Sequence, residues 1–131
     1  MAWFQQQKVM SMDATRGELE ASFTRAMIQM EKEYLGRGPE KANTMIIGDM
    51  VIVRLQGILT RAEIKLAESE HGRELIKETR RQLFESAREQ MEEMTSTILG
   101  CNLVSVHTDV STKSGERVIV LIVDVDMDKQ F

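Results

Sequence analysis

The chain has 131 residues, a formal charge of −4, 5% aromatic content and one cysteine. That length suits one domain with a single core, and the acidic balance argues against sequence-independent binding of nucleic acid, which needs a basic excess. A lone Cys101 excludes an internal disulfide and Cys-rich metal sites. No stretch reaches the ~18–20 apolar residues of a membrane span, and MAWFQQQKVMSM at the N-terminus has too short an apolar run for a signal peptide. The expected location is therefore the cytoplasm, with any membrane contact made at its inner face or through a partner.

Residues 1–12 read as a flexible tail in which Trp3 and Phe4 offer docking groups and Met10 or Met12 offer alternative starts to Met1. One α+β domain is expected over residues 13–131. Thr15-Arg-Gly-Glu18 has the spacing of a capping box, where hydroxyl and carboxylate satisfy the free N–H groups of a helix start. Leu19, Phe23, Met27, Met30 and Tyr34 follow at steps of three and four and form an apolar stripe. Gly36-Arg37-Gly38-Pro39 ends that helix, because Gly suits a left-handed cap and Pro cannot continue.

Residues 42–59 read as a hairpin turning at Gly48-Asp49. Thr60-Arg-Ala-Glu63 repeats the capping box and opens a short helix to about Ala67. Ser69 caps the next helix, predicted to run unbroken to Leu99 and stop at Gly100, with Ile76, Thr79, Leu83, Ala87, Met91, Met94 and Ile98 on its buried stripe.

The last hairpin, Leu103–Val125, carries the most information. Val104, Val106, Thr108 and Val110 alternate with Ser105, His107, Asp109 and Ser111, the period of a half-buried strand. The return strand is aliphatic without a break from Val118 to Val123. A two-residue Ser114-Gly115 turn would set Val110 opposite Ile119, and a three-residue loop would shift that register by one. In either register Val118, Val120 and Ile122 share one face, and Ile119, Leu121, Val123 and Val125 share the other. One face covers the domain's own core, while the second needs a further layer, since burying each such side chain is worth roughly 1.5–3 kcal/mol. Val118, Val120 and Ile122 are thus the predicted interface of a homodimer or higher homo-oligomer. The full order, α-β-β-α-α-β-β, predicts a four-stranded antiparallel sheet made of two hairpins with helices packed on one face.

Four blocks, GRGP (Gly36–Pro39), IIGDMVIVRLQGILTRAE (Ile46–Glu63), ESEHGRELIKETRRQL (Glu68–Leu83) and SVHTDVSTKSGERVIV (Ser105–Val120), together resemble the MpsC-like, or YbcI-like, family of small bacterial proteins over about residues 15–125. The family takes its name from a membrane potential-generating system. The resemblance implies work beside membrane subunits of cation or inorganic-carbon uptake, as a soluble component without established catalytic chemistry. It supplies no functional residues to carry over.

Candidate chemistry is sparse. Ser105, His107 and Asp109 lie on one strand about 6.6–6.8 Å apart per step. They are without a nucleophile elbow or oxyanion hole, so the polar face of a strand explains them better than a triad. Asp124, Asp126 and Asp128 open like a calcium loop, but Lys129 stands where Gly is required and the chain ends before a closing Glu. Arg73, Lys77, Arg80, Arg81 and Arg88 form a basic strip on the long helix, interleaved with glutamates, in which Arg73, Lys77 and Arg81, spaced by four, share a face; it reads first as a solvated salt-bridged face and second as a dock for an acidic protein surface or anionic headgroups. Arg37 between two glycines offers a donor fork for an anion. The resulting expectation is a non-enzymatic accessory or regulatory protein with no cofactor and no metal. Its alternative is an anion or nucleotide sensor, or an enzyme, built on Arg37, His107 and Asp109.

Overall fold

The computed structural model describes residues 14–131. The tail predicted over residues 1–12, with Trp3, Phe4 and the alternative starts, lies outside them. In chain order come α1 (Arg16–Leu35), β1 (Lys41–Ile47), β2 (Met50–Gln56), α2 (Arg61–Leu66), α3 (Glu70–Ser86), α4 (Arg88–Met94), β3 (Leu103–Ser111) and β4 (Glu116–Val123). The strands form one antiparallel sheet in the order β1-β2-β4-β3, as the α+β reading requires.

Local signals place the helices where they were expected. Thr15 Oγ1 accepts from Glu18 N at 3.1 Å while the Glu18 carboxylate accepts from Thr15 N at 2.9 Å, and Thr60 and Glu63 make the same reciprocal pair. Leu19, Phe23, Met27 and Met30 are buried, and Gly36 closes α1 in the left-handed region at φ +80°. The first hairpin turns at Gly48, with Ile47 opposite Met50.

The long helix departs from expectation. It breaks at Ala87 (φ −94°, ψ 5°), resumes as α4, and ends in a π-helical turn over Thr95–Leu99 before Gly100. Side-chain hydroxyls bond back to helix carbonyls beside both irregularities: Ser86 Oγ donates to Leu83 O at 2.6 Å and Thr95 Oγ1 to Met91 O at 2.8 Å. Such back-bonding bends helices. The stripe also differs at two positions, since Leu83 is half-buried beside a buried Phe84 and Thr79 gives way to Arg80. Thr79 is exposed, and Arg80 takes the inward position between Ile76 and Phe84.

The second hairpin closes through four residues, 112–115, with Gly115 N donating to Ser111 O at 2.9 Å and Ser114 N to Ser111 Oγ at 3.1 Å. Val110 therefore pairs with Arg117, two residues short of the expected Ile119. Because side chains alternate with period two, a shift of two leaves every face assignment intact. Two residues are exceptions: a bulge near Val104 leaves that valine exposed rather than inward, and Val125, expected on the core face, lies beyond the end of β4 and is exposed.

The core lies between one sheet face (Val51, Val53, Leu55, Ile119, Leu121, Val123) and the inner faces of α1, α4 and the π turn. No residue of α2 is buried. Gly72 lets α2 and α3 meet: a Cβ there would stand 1.8 Å from Leu66 O.

Candidate functional site

Three regions compete for function, and the first is the open sheet face. Alternation places Met45, Ile47, Met50, Ile52, Val118, Val120 and Ile122 opposite the core, and the register sets them side by side: Met45 against Ile52, Ile47 against Met50, Ile52 against Val120 and Met50 against Ile122. Met45 is 51%, Ile47 45% and Val118 39% exposed; the others are half-buried by their neighbours alone. The three residues predicted as an interface thus belong to a wider apolar surface contributed by β1, β2 and β4. Arg54 and Glu116 close one end of it with a bidentate pair, at 2.8 and 3.2 Å.

The second region is the cleft between α3 and β3, of about 300 Å3. Lys77 Nζ reaches Asp109 Oδ1 at 3.3 Å, while Arg81 bonds Glu78 and Glu85 on its own helix. The Asp109 carboxyl is held below its ordinary range, first by the hydrogen bond from Val110 N and then by Lys77. Three cations (Lys77, Arg81, Arg117) line the cleft with three carboxylates (Glu74, Glu78, Asp109), so it presents no net charge to an incoming anion. Arg73 lies at the other end of α3 and donates to Ala67 O at 2.9 Å.

The remaining predicted contacts do not converge. Arg37 donates to Leu59 O at 2.9 Å and Gly57 O at 3.1 Å, clamping the loop after α1 to the loop after β2. His107 is exposed on edge strand β3, its Nε2 3.2 Å from Ser105 Oγ, while Asp109 turns to Val110 N and Lys77. Arg37 shares no partner with His107 or Asp109. Asp124 binds Asn102, Asp126 caps the final turn and Asp128 pairs with Arg16. Burial, and then Asp124, pushes the Cys101 thiol up to about 11, far from a reactive thiolate.

The third region corrects the sequence reading, which set Arg80 on the solvated basic strip: its position between Ile76 and Phe84 turns it into the core, where Glu63 pairs with it. Under the covered face lie Arg80, 1% exposed, and Arg117, 3% exposed, with buried Glu31 and partly buried Glu63. Arg80 grips Glu63 with Nε at 2.8 Å and Nη2 at 2.7 Å, and reaches Ile58 O at 2.9 Å. Arg117 donates to Thr108 Oγ1 at 3.0 Å and stands 4.7 Å over the Phe84 ring. The two glutamates respond in opposite ways. Burial would raise Glu63, but the hydrogen bonds from Arg80 and Thr60 N outweigh it and hold the carboxyl low. Burial raises Glu31, and Arg117 and Arg80 offset it only in part. A signal for this cluster did exist. Arg117 is in phase with Ile119, Leu121 and Val123, and Arg80 sits four residues from both Ile76 and Phe84.

Comparison with known proteins adds a context. A family model described as "Na+-translocating membrane potential-generating system (MpsC)" matches residues 15–125. The uncharacterised protein YbcI of Bacillus subtilis (strain 168) is 41% identical over 118 residues, covering 90% of this chain and 95% of its own. The uncharacterised protein YrhF of the same organism is 28% identical over 103 residues, covering 78% of this chain and 84% of its own. No solved structure matches significantly.

Proposed function

The chain belongs to the MpsC family, and from that premise we propose that it is a soluble, non-enzymatic accessory or regulatory component of a membrane potential-generating, cation-moving system. It acts as one domain over residues 13–131, at the inner face of the membrane, through protein contacts. No helix among the described residues is long and apolar enough to cross a membrane, so on this reading ion passage belongs to partner subunits.

The observation that carries the reading is the seven-residue apolar sheet face, which has no covering layer among the described residues. A surface of this kind in a single chain is an assembly surface, and a twofold homodimer is its simplest closed solution. In this proposal Val118, Val120 and Ile122 lie at the centre of the dimer contact, and the exposed α3 side chains Arg73, Lys77 and Arg81 would exchange their pairings within the chain for contacts with a transporter subunit. The sensor alternative has less support, because Arg37 is engaged by backbone carbonyls and the α3–β3 cleft is charge-balanced.

Sedimentation at tens of micromolar, on the usual association scale, tests the assembly. The wild-type chain is expected as a dimer, and Val120→Lys as a monomer with unchanged helix content. A monomeric wild type overturns the proposal.

A further inference from the structure

Between α1, α3 and β4 lies a cavity of about 10 Å3, faced by Glu31, Arg80 and Arg117 and walled by Tyr34, Leu83 and Phe84. Its donors are fixed by their other bonds. Arg80 has committed Nε and Nη2 to Glu63 and Ile58 O, and its buried Nη1 has no hydrogen-bond partner. Arg117 has committed Nη1 to Thr108 Oγ1 and Nη2 to Arg80 O at 3.5 Å, and its buried Nε has none. Among the described residues, no direct hydrogen bond or ion pair joins Glu31 to either guanidinium, although both act on its carboxyl electrostatically. Glu31, Arg80 and Arg117 thus line one small space, and each guanidinium keeps one buried nitrogen without a hydrogen-bond partner.

Size and charge together select the occupant. A cavity needs roughly 10–15 Å3 to hold one water, so this space matches the size of a single water. Arg80 is balanced by Glu63 and Arg117 by Glu31, so an anion would add uncompensated negative charge beside a buried carboxylate. A neutral molecule that both accepts and donates is required. We propose that this cavity binds a single water, which accepts hydrogen bonds from Arg80 Nη1 and Arg117 Nε and donates to the Glu31 carboxylate. Three partners are the usual number for a buried water. The bridge ties α1 to α3 and β4 at the point where a charged network crosses the core.

Two measurements on the full chain test this. Crystal density at high resolution should show one water at the centre of the three groups, and bromide-soaked crystals should show no anomalous peak there. Magnetic relaxation dispersion should count one fewer long-lived internal water in Glu31→Leu than in the wild type, with Glu31→Gln retaining the wild-type count. A dry cavity, a bromide peak, or an unchanged count in Glu31→Leu overturns the proposal. If Glu31→Leu does not fold, the wild-type density alone decides.

Discussion

Both faces of the sheet are largely apolar, but they are completed in different ways. The face turned inward carries a guanidinium, Arg117, beside Arg80 and Glu31, whereas the face turned outward carries Met45, Ile47, Ile52, Val118, Val120 and Ile122. Burying ions costs several kcal/mol each unless their partners are well placed, and leaving aliphatic side chains in water forgoes burial worth roughly 1.5–3 kcal/mol apiece. The covered face therefore obtains its partners from within the chain, from α1, α2 and α3. The open face has none within the described residues. The contrast separates a region whose partners are internal from one that, on the proposed reading, a second copy completes.

Arg80 should give the largest break. Removing it by Arg80→Ala leaves Glu63 without its bidentate partner and Ile58 O without a donor, and should destabilise the fold by about 3–5 kcal/mol in urea titration. A loss within ~0.5 kcal/mol would place the network outside the stabilising core. The next contrast uses neighbours on one strand, measured on the Val120→Lys background so that association does not contribute. Ile119→Ala, on the covered face, should cost about 2–5 kcal/mol, while Val118→Ala, on the open face, should stay within about 0.5 kcal/mol. Equal costs would mean that a single chain already buries both faces.

The smallest effect is a pH dependence that distinguishes the two glutamates. Glu31 has its folded-state pKa raised above 4.5, so its contribution is fully present below 4.5 and lost as pH rises through the raised value. Glu63 has its value lowered, so its contribution is present above 4.5 and lost as pH falls through the lowered value. Subtracting the stability–pH curve of Glu31→Gln from that of the wild type should isolate a component that declines above pH 4.5. A component that rises over that range would reverse the assignment and make Glu31 a well-compensated carboxylate like Glu63.

Local chemistry made much of this molecule legible before any tertiary contact was known. Thr15–Glu18 and Thr60–Glu63 mark helix starts because a hydroxyl and a carboxylate at that spacing satisfy free N–H groups wherever the helix lies. Gly36, Gly48 and Gly100 mark ends and turns because a left-handed residue is needed there. Alternation separated Val118, Val120 and Ile122 from Ile119, Leu121 and Val123, and a two-residue error in hairpin register could not disturb that division. The break at Ala87 was not legible, since hydroxyl back-bonding by Ser86 and Thr95 competes with a helix only where packing permits it. Nor was the fate of the cations. Arg81 is the exception, since its i, i+3 and i, i+4 pairs with Glu78 and Glu85 fit the salt-bridged face read from the spacing. For Arg37, Lys77, Arg80 and Arg117, all basic side chains, the positions of Leu59 O, Asp109, Glu63 and Thr108 in three dimensions decide which becomes a clamp, a surface pair or a buried ion. Sequence determined the elements and the faces, because propensity, capping and period act over a few residues. Tertiary structure decided which face carries charge into the core and which is left open, because both depend on groups far apart in the chain being brought within a few ångströms.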